Sequence, residues 1–249
     1  MKKLLIATKN PGKFAEILEV LKSQDEPLAD YEFLSLADLK IKDEVEEHGV
    51  THEENAILKA RYFFNKTGLP TLGEDSGVHV DAFPGELGVQ TRRWAGLGAA
   101  TDAKWIKCFL GKMSAISADD RGAKFICCAA LILDDETYRF PRIFIGETRG
   151  IITKIMEAPL KPGIPISSCF RPSGFSKVYA ALTVAEKNGI SHRGKAISKV
   201  REYLCRPDGD GRTKRNSALR NFKRNLRSPL LQAIVFHDSE RQWLAAGLT

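Results

Sequence analysis

The sequence predicts an α/β fold, because short apolar runs typical of buried strands alternate along the chain with segments of helical periodicity. KKLLIAT, residues 2–8, is an apolar run that ends at the turn-forming Asn-Pro-Gly of residues 10–12. Four apolar residues then recur on one helical face: Phe14, Ile17, Leu18 and Leu21. A strand, a tight loop and a helix in succession are typical of α/β packing.

The same alternation continues through the middle of the chain. NAILKARYFF, residues 55–64, predicts a helix. LPTLGEDSGVHVDAF, residues 69–83, predicts two short strands separated by an acidic turn between two glycines. AKWIKCFLGKM, residues 103–113, again predicts a helix, and the strongly apolar AKFICCAALIL, residues 123–133, predicts a buried strand.

The following segments predict a strand, a loop and a helix. RIFIGETRGIIT, residues 142–153, is typical of a strand with a turn. Residues 158–174 contain four prolines and two glycines, which predicts a loop. Residues 187–204 begin irregularly and end as a helix.

Composition divides the chain into a domain and an extension. At 249 residues with 43% hydrophobic content, the chain suits one domain, alone or with an appendage. After Cys205 the sequence becomes rich in Lys and Arg, so we predict a domain over residues 1–205 and a basic C-terminal extension over 206–249. We expect a linker near residues 206–213, followed by a short basic helix with a sparse apolar stripe: Leu219, Phe222 and Leu226.

Charge and cysteine usage bear on partners and location. The net charge of +7 favours a polyanionic partner or an anionic substrate. We expect no membrane span, because no apolar stretch approaches bilayer length, and no signal peptide, because the apolar start ends at Ala7. The five cysteines are odd in number and form no C-x-x-C pair, so we expect reduced thiols in a cytoplasmic protein.

The segment IATKNPGKF, residues 6–14, is a candidate phosphate-binding loop. It lacks the G-x-x-x-x-G-K-[ST] spacing of a P-loop, which excludes the kinase and GTPase interpretation. A helix N-terminus still offers backbone N–H groups and a positive dipole end to an anion. Gly12 permits close approach, Lys13 adds a charge, and Thr8 and Asn10 supply hydrogen-bonding side chains. The alternative is an ordinary strand-to-helix turn.

The segment GEDSG, residues 73–77, is a candidate metal and catalytic site. Glu74 and Asp75 offer hard oxygen ligands that suit Mg²⁺, and an aspartate there can orient or deprotonate a water. Ser76 can donate to a phosphate oxygen. Glu46 and Glu47 add acid from another segment. The alternatives are a solvated acidic turn and a charged surface run.

The segment EKNGISHRGKA, residues 186–196, is a candidate nucleotide-binding segment. Lys187, His192 and Arg193 place cations and an imidazole before a helix. This combination suits an anionic ligand that carries a polar ring. A surface His-Arg pair is the alternative.

Four separated motifs together resemble the inosine triphosphate pyrophosphatase family. They are TKNPGK, EEHGVTHEENAILKA, LGEDSGVHVDAFPGELGVQTRRWAG and KNGISHRGKA. The resemblance extends from about Lys2 to Leu204. It implies Mg²⁺-dependent hydrolysis of non-standard purine nucleoside triphosphates (ITP, dITP, XTP) to the monophosphate and pyrophosphate, which cleanses the nucleotide pool. It also implies an elongated mixed β-sheet with flanking helices, two lobes around a nucleotide cleft, and a homodimer.

The resemblance assigns a role to each matching residue. Asp75 is implied to be the general base on the attacking water and, with Glu46, a ligand of Mg²⁺. The residues implied to bind the substrate are Thr8, Asn10, Gly12, Lys13, Ser76, Lys187, His192 and Arg193. Thr8, Asn10 and Lys13 would hold the triphosphate, and Ser76 would contact phosphate. Lys187, His192 and Arg193 would lie against the nucleotide, the last two near the 6-oxo edge of the base.

One segment departs from the family pattern. Where the family has G-F-G-Y-D-P, this chain has GIPISS, so Ile164 replaces a stacking Phe, Ile166 a Tyr and Ser167 an Asp. Loss of a stacking ring costs about 1–3 kcal/mol of base binding in other nucleic-acid sites. We therefore expect the cleavage chemistry to be retained and base selectivity to be weakened or redirected. TRRWAG keeps the family's Arg93, places Trp94 where the family has Tyr, and adds the cation Arg92.

Two rival functions stay open. The altered segment favours a catalytically weak relative that binds nucleotides, whereas intact Lys13, Glu46 and Asp75 oppose it. The Lys/Arg cluster at residues 206–227 suits nucleic-acid binding, although we favour a solvated tail. The tail also has apolar residues that could pack on the dimer or domain surface: Leu219, Phe222, Leu226 and Trp243.

Overall fold

A computed structural model describes residues 1–23 and 28–206, in which a six-stranded sheet is flanked by helices on both faces. The strands are β1 Lys2–Ala7, β2 Tyr31–Ser35, β3 Thr71–Val80, β4 Gly122–Ile132, β5 Arg142–Ile152 and β6 Phe170–Pro172. Their order in the sheet is β2-β1-β3-β4-β5-β6. β1 runs parallel to β2 and β3, whereas β3, β4, β5 and β6 are successively antiparallel. The expected mixed sheet of an α/β fold is confirmed.

Helices cover both faces of this sheet. The helices are α1 Pro11–Leu21, α2 His52–Thr67, α3 Asp102–Met113, α4 Asp135–Arg139, α5 Val184–Ile190 and α6 His192–Leu204. α1 and α6 share a core with β1 and β4, in which Ile17 of α1 and Ile197 of α6 are fully buried. α2 packs on the opposite face through Ala56 and Ala60, against alternate residues of β4. The small side chains of α2 allow this helix to lie close to the sheet.

The acidic segment GEDSG is the centre of a continuous strand, so the predicted turn between two short strands is wrong. β3 pairs with β4 in unbroken register from Thr71 with Ile132 to Val80 with Ala123. The glycines serve close packing here, because a Cβ on Gly73 would lie 2.3 Å from the Ala56 carbonyl oxygen of α2. Since successive side chains of a strand point to opposite faces, Glu74 and Asp75 are directed to opposite sides of the sheet.

Other segments differ from the predictions in smaller ways. β5 passes through Gly146 and Gly150 without a turn, because both glycines face closely packed backbone. The predicted loop of residues 158–174 contains a short 3₁₀ helix, Pro165–Ser168, and the strand β6. Residues 187–204 are helical throughout except for Ser191, which caps α6. β2 and α4 are additional elements that were not predicted from the sequence.

Two expectations concern the rest of the chain and its location. The predicted extension over residues 206–249 lies outside the described residues after Arg206, and it stays a prediction. Within residues 1–23 and 28–206, every helix is too short or too polar to cross a bilayer.

Arg121 is a buried cation that ties backbone segments together beside the second large core, which lies around α3 and the end of β3. Its guanidinium donates to the carbonyl oxygens of Met113 at 2.6 Å, Ile152 at 2.7 Å and Thr153 at 2.8 Å. We expect Arg121→Gln to lower the free energy of unfolding by about 3 kcal/mol or more, because buried acceptors would lose charged donors. Urea unfolding measures this change.

The matched control for Arg121 is Arg149→Gln on β5, whose side chain is 75% exposed. We expect this control to change the free energy of unfolding by less than about 0.5 kcal/mol. A loss below about 1 kcal/mol in Arg121→Gln would contradict the structural role of the buried guanidinium.

Candidate active site

A cavity of about 420 Å³ lies where β1 ends beside β3. The pairing of β1 with β3 ends at Ala7 and Gly73, whereas β3 continues to Val80. Ligands of open α/β sheets bind in such crevices at the carboxyl ends of parallel strands. Residues from all four sequence motifs line the cavity, including Thr8, Asn10, Lys13, Asp75, Ser76, Lys187, His192 and Arg193. Of the predicted site residues, Gly12, Glu46 and Glu74 lie outside this lining.

The loop before α1 presents side chains rather than free backbone groups to the cavity. The side-chain oxygen Oδ1 of Asn10 accepts hydrogen bonds from the N–H groups of Gly12 at 2.9 Å and Lys13 at 3.1 Å. The expectation that this helix start offers free N–H groups is therefore wrong for these two residues, because the N-cap side chain already uses them. A Cβ on Gly12 would lie 2.6 Å from the Pro162 carbonyl oxygen, so this glycine permits packing against residues 158–174.

Glu74 joins two of the predicted cations on the α6 side of the sheet. Its carboxylate lies 3.0 Å from Lys13 Nζ and 3.1 Å from Arg193 Nη2. Arg193 Nη2 also donates to Ser76 Oγ at 2.8 Å. Burial raises the pKa of Glu74, but the charges of Lys13 and Arg193 outweigh it and hold this pKa well below its ordinary value. Glu74 is therefore ionised at neutral pH.

Glu16 of α1 completes this network and is not among the site residues predicted from the sequence. Its carboxylate forms ion pairs with Lys187 and Arg193. Burial raises the pKa of Glu16, but the charges of Arg193 and Lys187 together lower it below its ordinary value. The available signal was its position three residues after Lys13, which places both side chains on the same side of a helix that starts at the cavity. Three cations thus face two carboxylates in the network.

His192 is a buried ring within an aromatic cluster. It stacks on Phe125 with a centroid distance of 4.6 Å and on Tyr179 at 6.1 Å. Burial, and then the charge of Arg193, holds the pKa of His192 well below its ordinary value. The imidazole is therefore neutral at pH 7 and has one donor and one acceptor nitrogen. Its Nδ1 atom is buried with no hydrogen-bond partner among the described residues.

Asp75 faces α2, where two side chains that the sequence analysis missed hold it. His52 Nδ1 lies 2.7 Å from Oδ2 of Asp75, and Lys59 Nζ lies 3.2 Å from Oδ1. Burial raises the pKa of Asp75, but the His52 hydrogen bond and the charge of Lys59 outweigh it and lower this pKa. His52 and Lys59 are two helical turns apart, so their common face was a signal in the HEENAILK sequence.

Glu47, rather than the predicted Glu46, shares a cationic partner with Asp75. Lys59 Nζ lies 3.0 Å from Oε1 of Glu47 and therefore joins the Glu47 and Asp75 carboxylates. Glu47 lines the cavity, whereas Glu46 is exposed. Carboxylate oxygens are the ligand type that Mg²⁺ binds, one or two at a time, while it keeps several waters. Residues 1–23 and 28–206 contain no cluster of three or more potential metal-ligating side chains.

The altered segment forms part of the cavity wall, together with aromatic residues from elsewhere. Ile164, Ile166 and Ser167 all line the cavity. The Ser167 hydroxyl donates to the Ile164 carbonyl oxygen at 2.6 Å, so it is already hydrogen-bonded within the segment. The aromatic side chains in the described part of the lining are Phe63, Trp105, Phe125 and Tyr179. Trp94 is buried and donates to Glu86, whereas Arg92 and Arg93 line the cavity.

Comparisons with known proteins agree on one family. Residues 4–203 match the Ham1 family. A dITP/XTP pyrophosphatase from Streptomyces coelicolor is 36% identical over 209 residues, covering 82% of this chain and all of the relative. One from Haemophilus influenzae is 37% identical over 202 residues, covering 81% and 98%. The solved structure of a HAM1 protein from Coxiella burnetii superposes with a TM-score of 0.67 at 33% identity, covering 82% and 98%.

Proposed function

Because this chain belongs to the Ham1 family, we propose that it hydrolyses non-standard purine nucleoside triphosphates such as ITP, dITP and XTP to the monophosphate and pyrophosphate. Relatives with the printed name dITP/XTP pyrophosphatase match over four fifths of the chain. The observation that carries the proposal is the meeting of Lys13, Asp75 and Arg193 in one cavity, although they come from distant parts of the sequence.

The cations of the cavity are proposed to bind the nucleotide, with Lys13 at the triphosphate, Lys187 against the nucleotide and Arg193 at the base. Lys13, Lys187 and Arg193 outnumber the two carboxylates that they contact, so the network keeps an excess of positive charge for an anionic ligand. Thr8, Asn10 and Ser76 add hydrogen-bonding groups along the same wall. Charge-assisted hydrogen bonds of this kind hold phosphate oxygens and stabilise developing charge.

Asp75 is proposed to act as the general base. It is ionised, and His52 and Lys59 fix its carboxylate at the cavity. In the proposed step Asp75 accepts a proton from a water as the water oxygen bonds to the α-phosphorus. The bond from this phosphorus to the bridging oxygen of the β-phosphate breaks, and pyrophosphate leaves.

Mg²⁺ is the proposed cofactor, with Asp75 as one ligand. For the second ligand, Glu47 is now preferred to Glu46, because Glu47 lines the cavity and shares Lys59 with Asp75. When bound, Mg²⁺ supplies neutralisation of the phosphate charges.

His192 and Arg193 are proposed to contact the 6-oxo edge of the base. A neutral imidazole and a guanidinium can both donate to a carbonyl oxygen, whereas the 6-amino group of adenine is a donor. The wall at Ile164 and Ile166 lacks a stacking ring, so we expect discrimination among bases to be weakened or redirected.

A pyrophosphate-release assay over ITP, dITP, XTP, ATP and GTP with Mg²⁺ tests the function and the selectivity together. We expect turnover of ITP, dITP and XTP. Their preference over ATP should be less than about a hundredfold, which is what one to two strong base contacts would give. A strong preference for ITP would contradict the altered selectivity. Binding of nucleotides without any hydrolysis would favour the catalytically weak relative instead.

A homodimer and a cytoplasmic location are further proposals. The dimer follows from the family resemblance, and sedimentation of the purified protein tests it. All five cysteines are free thiols, which suits a reducing compartment. Nucleic-acid binding through residues 206–227 is a separate alternative. After Arg206 these residues lie outside the part of the chain that the structure describes. Removal of residues 206–249, followed by salt-dependent DNA and RNA retention, tests that alternative.

A further inference from the structure

Gly163 begins the wall segment, residues 163–168, which is the stretch that departs from the family pattern, and it is hydrogen-bonded on two sides. The Asn10 side chain donates from Nδ2 to the Gly163 carbonyl oxygen at 2.8 Å. The Gly163 N–H donates to Oδ2 of Asp102 at 2.6 Å. The N–H and the carbonyl oxygen of Gly163 are thus each bound by a side chain from a different part of the chain.

The contact between the phosphate-side loop and the wall segment is close enough to require glycine. Gly163 has a φ of +77°, which other residues rarely adopt. A Cβ on Gly163 would lie 2.3 Å from Oδ1 of Asn10, the oxygen that caps α1. Gly12 meets the Pro162 carbonyl oxygen in the same way. The loop that carries Lys13 and the segment that carries Ile164 therefore interlock.

Asp102 holds Gly163 on the side away from Asn10, and it has a second partner. Its second oxygen, Oδ1, accepts from Nη1 of Arg92 at 3.1 Å, and Nη2 of Arg92 donates to the Ala100 carbonyl oxygen. Arg92 lines the cavity, whereas Asp102 lies outside the described residues that do so. The side chain of Asp102 can thus affect a bound base through its hydrogen-bond partners Gly163 and Arg92.

We propose that Asp102 is a positioning residue for base recognition, which holds Gly163 against Asn10 so that the wall of Ile164, Ile166 and Ser167 stays aligned with the triphosphate site. This inference rests on the proposed function. Without the Asp102 contact, Gly163 keeps its bond to Asn10 but loses the one that fixes its N–H. The wall segment then has more conformations to lose when a base binds, whereas the phosphate side chains keep theirs.

The test compares a ligand that has a base with one that lacks it. In Asp102→Ala, we expect kcat/KM for ITP to fall about tenfold, as for the loss of one hydrogen bond to a charged group. The inhibition constant of inorganic tripolyphosphate should stay within about twofold of wild type, because this ligand has no base to contact the wall. Asp102→Asn keeps an acceptor for the Gly163 N–H, so it should retain most of the activity.

The matched control is Thr101→Ala, which removes the N-cap of the same helix without touching Gly163. It should lower the melting temperature at least as much as Asp102→Ala and leave kcat/KM for ITP unchanged. The inference is overturned by an equal loss in Thr101→Ala, by unchanged ITP kinetics in Asp102→Ala, or by a parallel weakening of tripolyphosphate. The inference is also overturned if Asp102→Asn loses as much activity as Asp102→Ala. It is overturned as well if tripolyphosphate does not inhibit the wild-type enzyme. Wild-type protein that releases no pyrophosphate from any nucleotide would instead refute the proposed function, and this inference with it.

Discussion

Asp75→Asn is expected to lower kcat for pyrophosphate release from ITP by about three orders of magnitude, within the range that a positioned general base contributes. Asparagine keeps the size of the side chain and can still accept a hydrogen bond from His52, which lies 2.7 Å away. It cannot take a proton from water, and it removes a carboxylate proposed to bind Mg²⁺. Steady-state kinetics with coupled pyrophosphate detection measures the change.

Two comparisons separate lost chemistry from lost folding in this variant. Asp119→Asn changes an exposed aspartate in the same way and should leave kcat unchanged. The Asp75→Asn protein should still bind ITP, because the cations contacting Glu16 and Glu74 are untouched. If Asp75→Asn kept more than about a tenth of wild-type kcat, Asp75 would not be the general base.

The parts of the fold that the sequence predicts are those set by local pattern. β1 and α1 follow from an apolar run, a turn and a helical stripe, because each signal lies within a few neighbouring residues. The same holds for α2 and β4, whose long periodic or apolar segments admit one interpretation. Residue types suited to phosphate binding, such as Lys13 and Arg193, were also identified and do line one cavity.

The features that were predicted wrongly or not at all have a common physical cause. Each depends on a tertiary partner, and a local sequence pattern does not contain that partner. Gly73 signals a turn in isolation, but its purpose is to let Ala56 of α2 approach β3. The acidic pair therefore lies in a strand, and its two carboxylates have separate partners on opposite faces. Glu16 looks like a solvent-facing residue of an amphipathic helix until α6 brings Arg193 against it.

Glu74 is the carboxylate whose removal we expect to harm stability most. Its side chain is 1% exposed and lies between Lys13 and Arg193. Glu74→Gln leaves both cations facing a neutral amide, and breaking a buried ion pair from one side costs about 3–5 kcal/mol. Arg193 keeps Glu16 as a partner, so we expect a loss of about 3 kcal/mol in the free energy of unfolding. Urea unfolding at pH 7 measures it, with the surface variant Glu147→Gln expected to lose less than about 1 kcal/mol.

The pH dependence of the unfolding free energy of Glu74→Gln tests whether the lost stability comes from the charge of Glu74. The pKa of Glu74 lies well below 4.5 in the folded protein, because Lys13 and Arg193 outweigh the effect of burial. A carboxylate whose folded pKa is lowered stabilises the fold fully above its unfolded pKa, and that stability is lost as the pH falls through the folded pKa. The difference in unfolding free energy between wild type and Glu74→Gln should therefore be constant above pH 4.5 and shrink below it. A difference that stays the same down to the acid transition would mean that glutamine is harmful through its packing, and that the ion pairs of Glu74 contribute little.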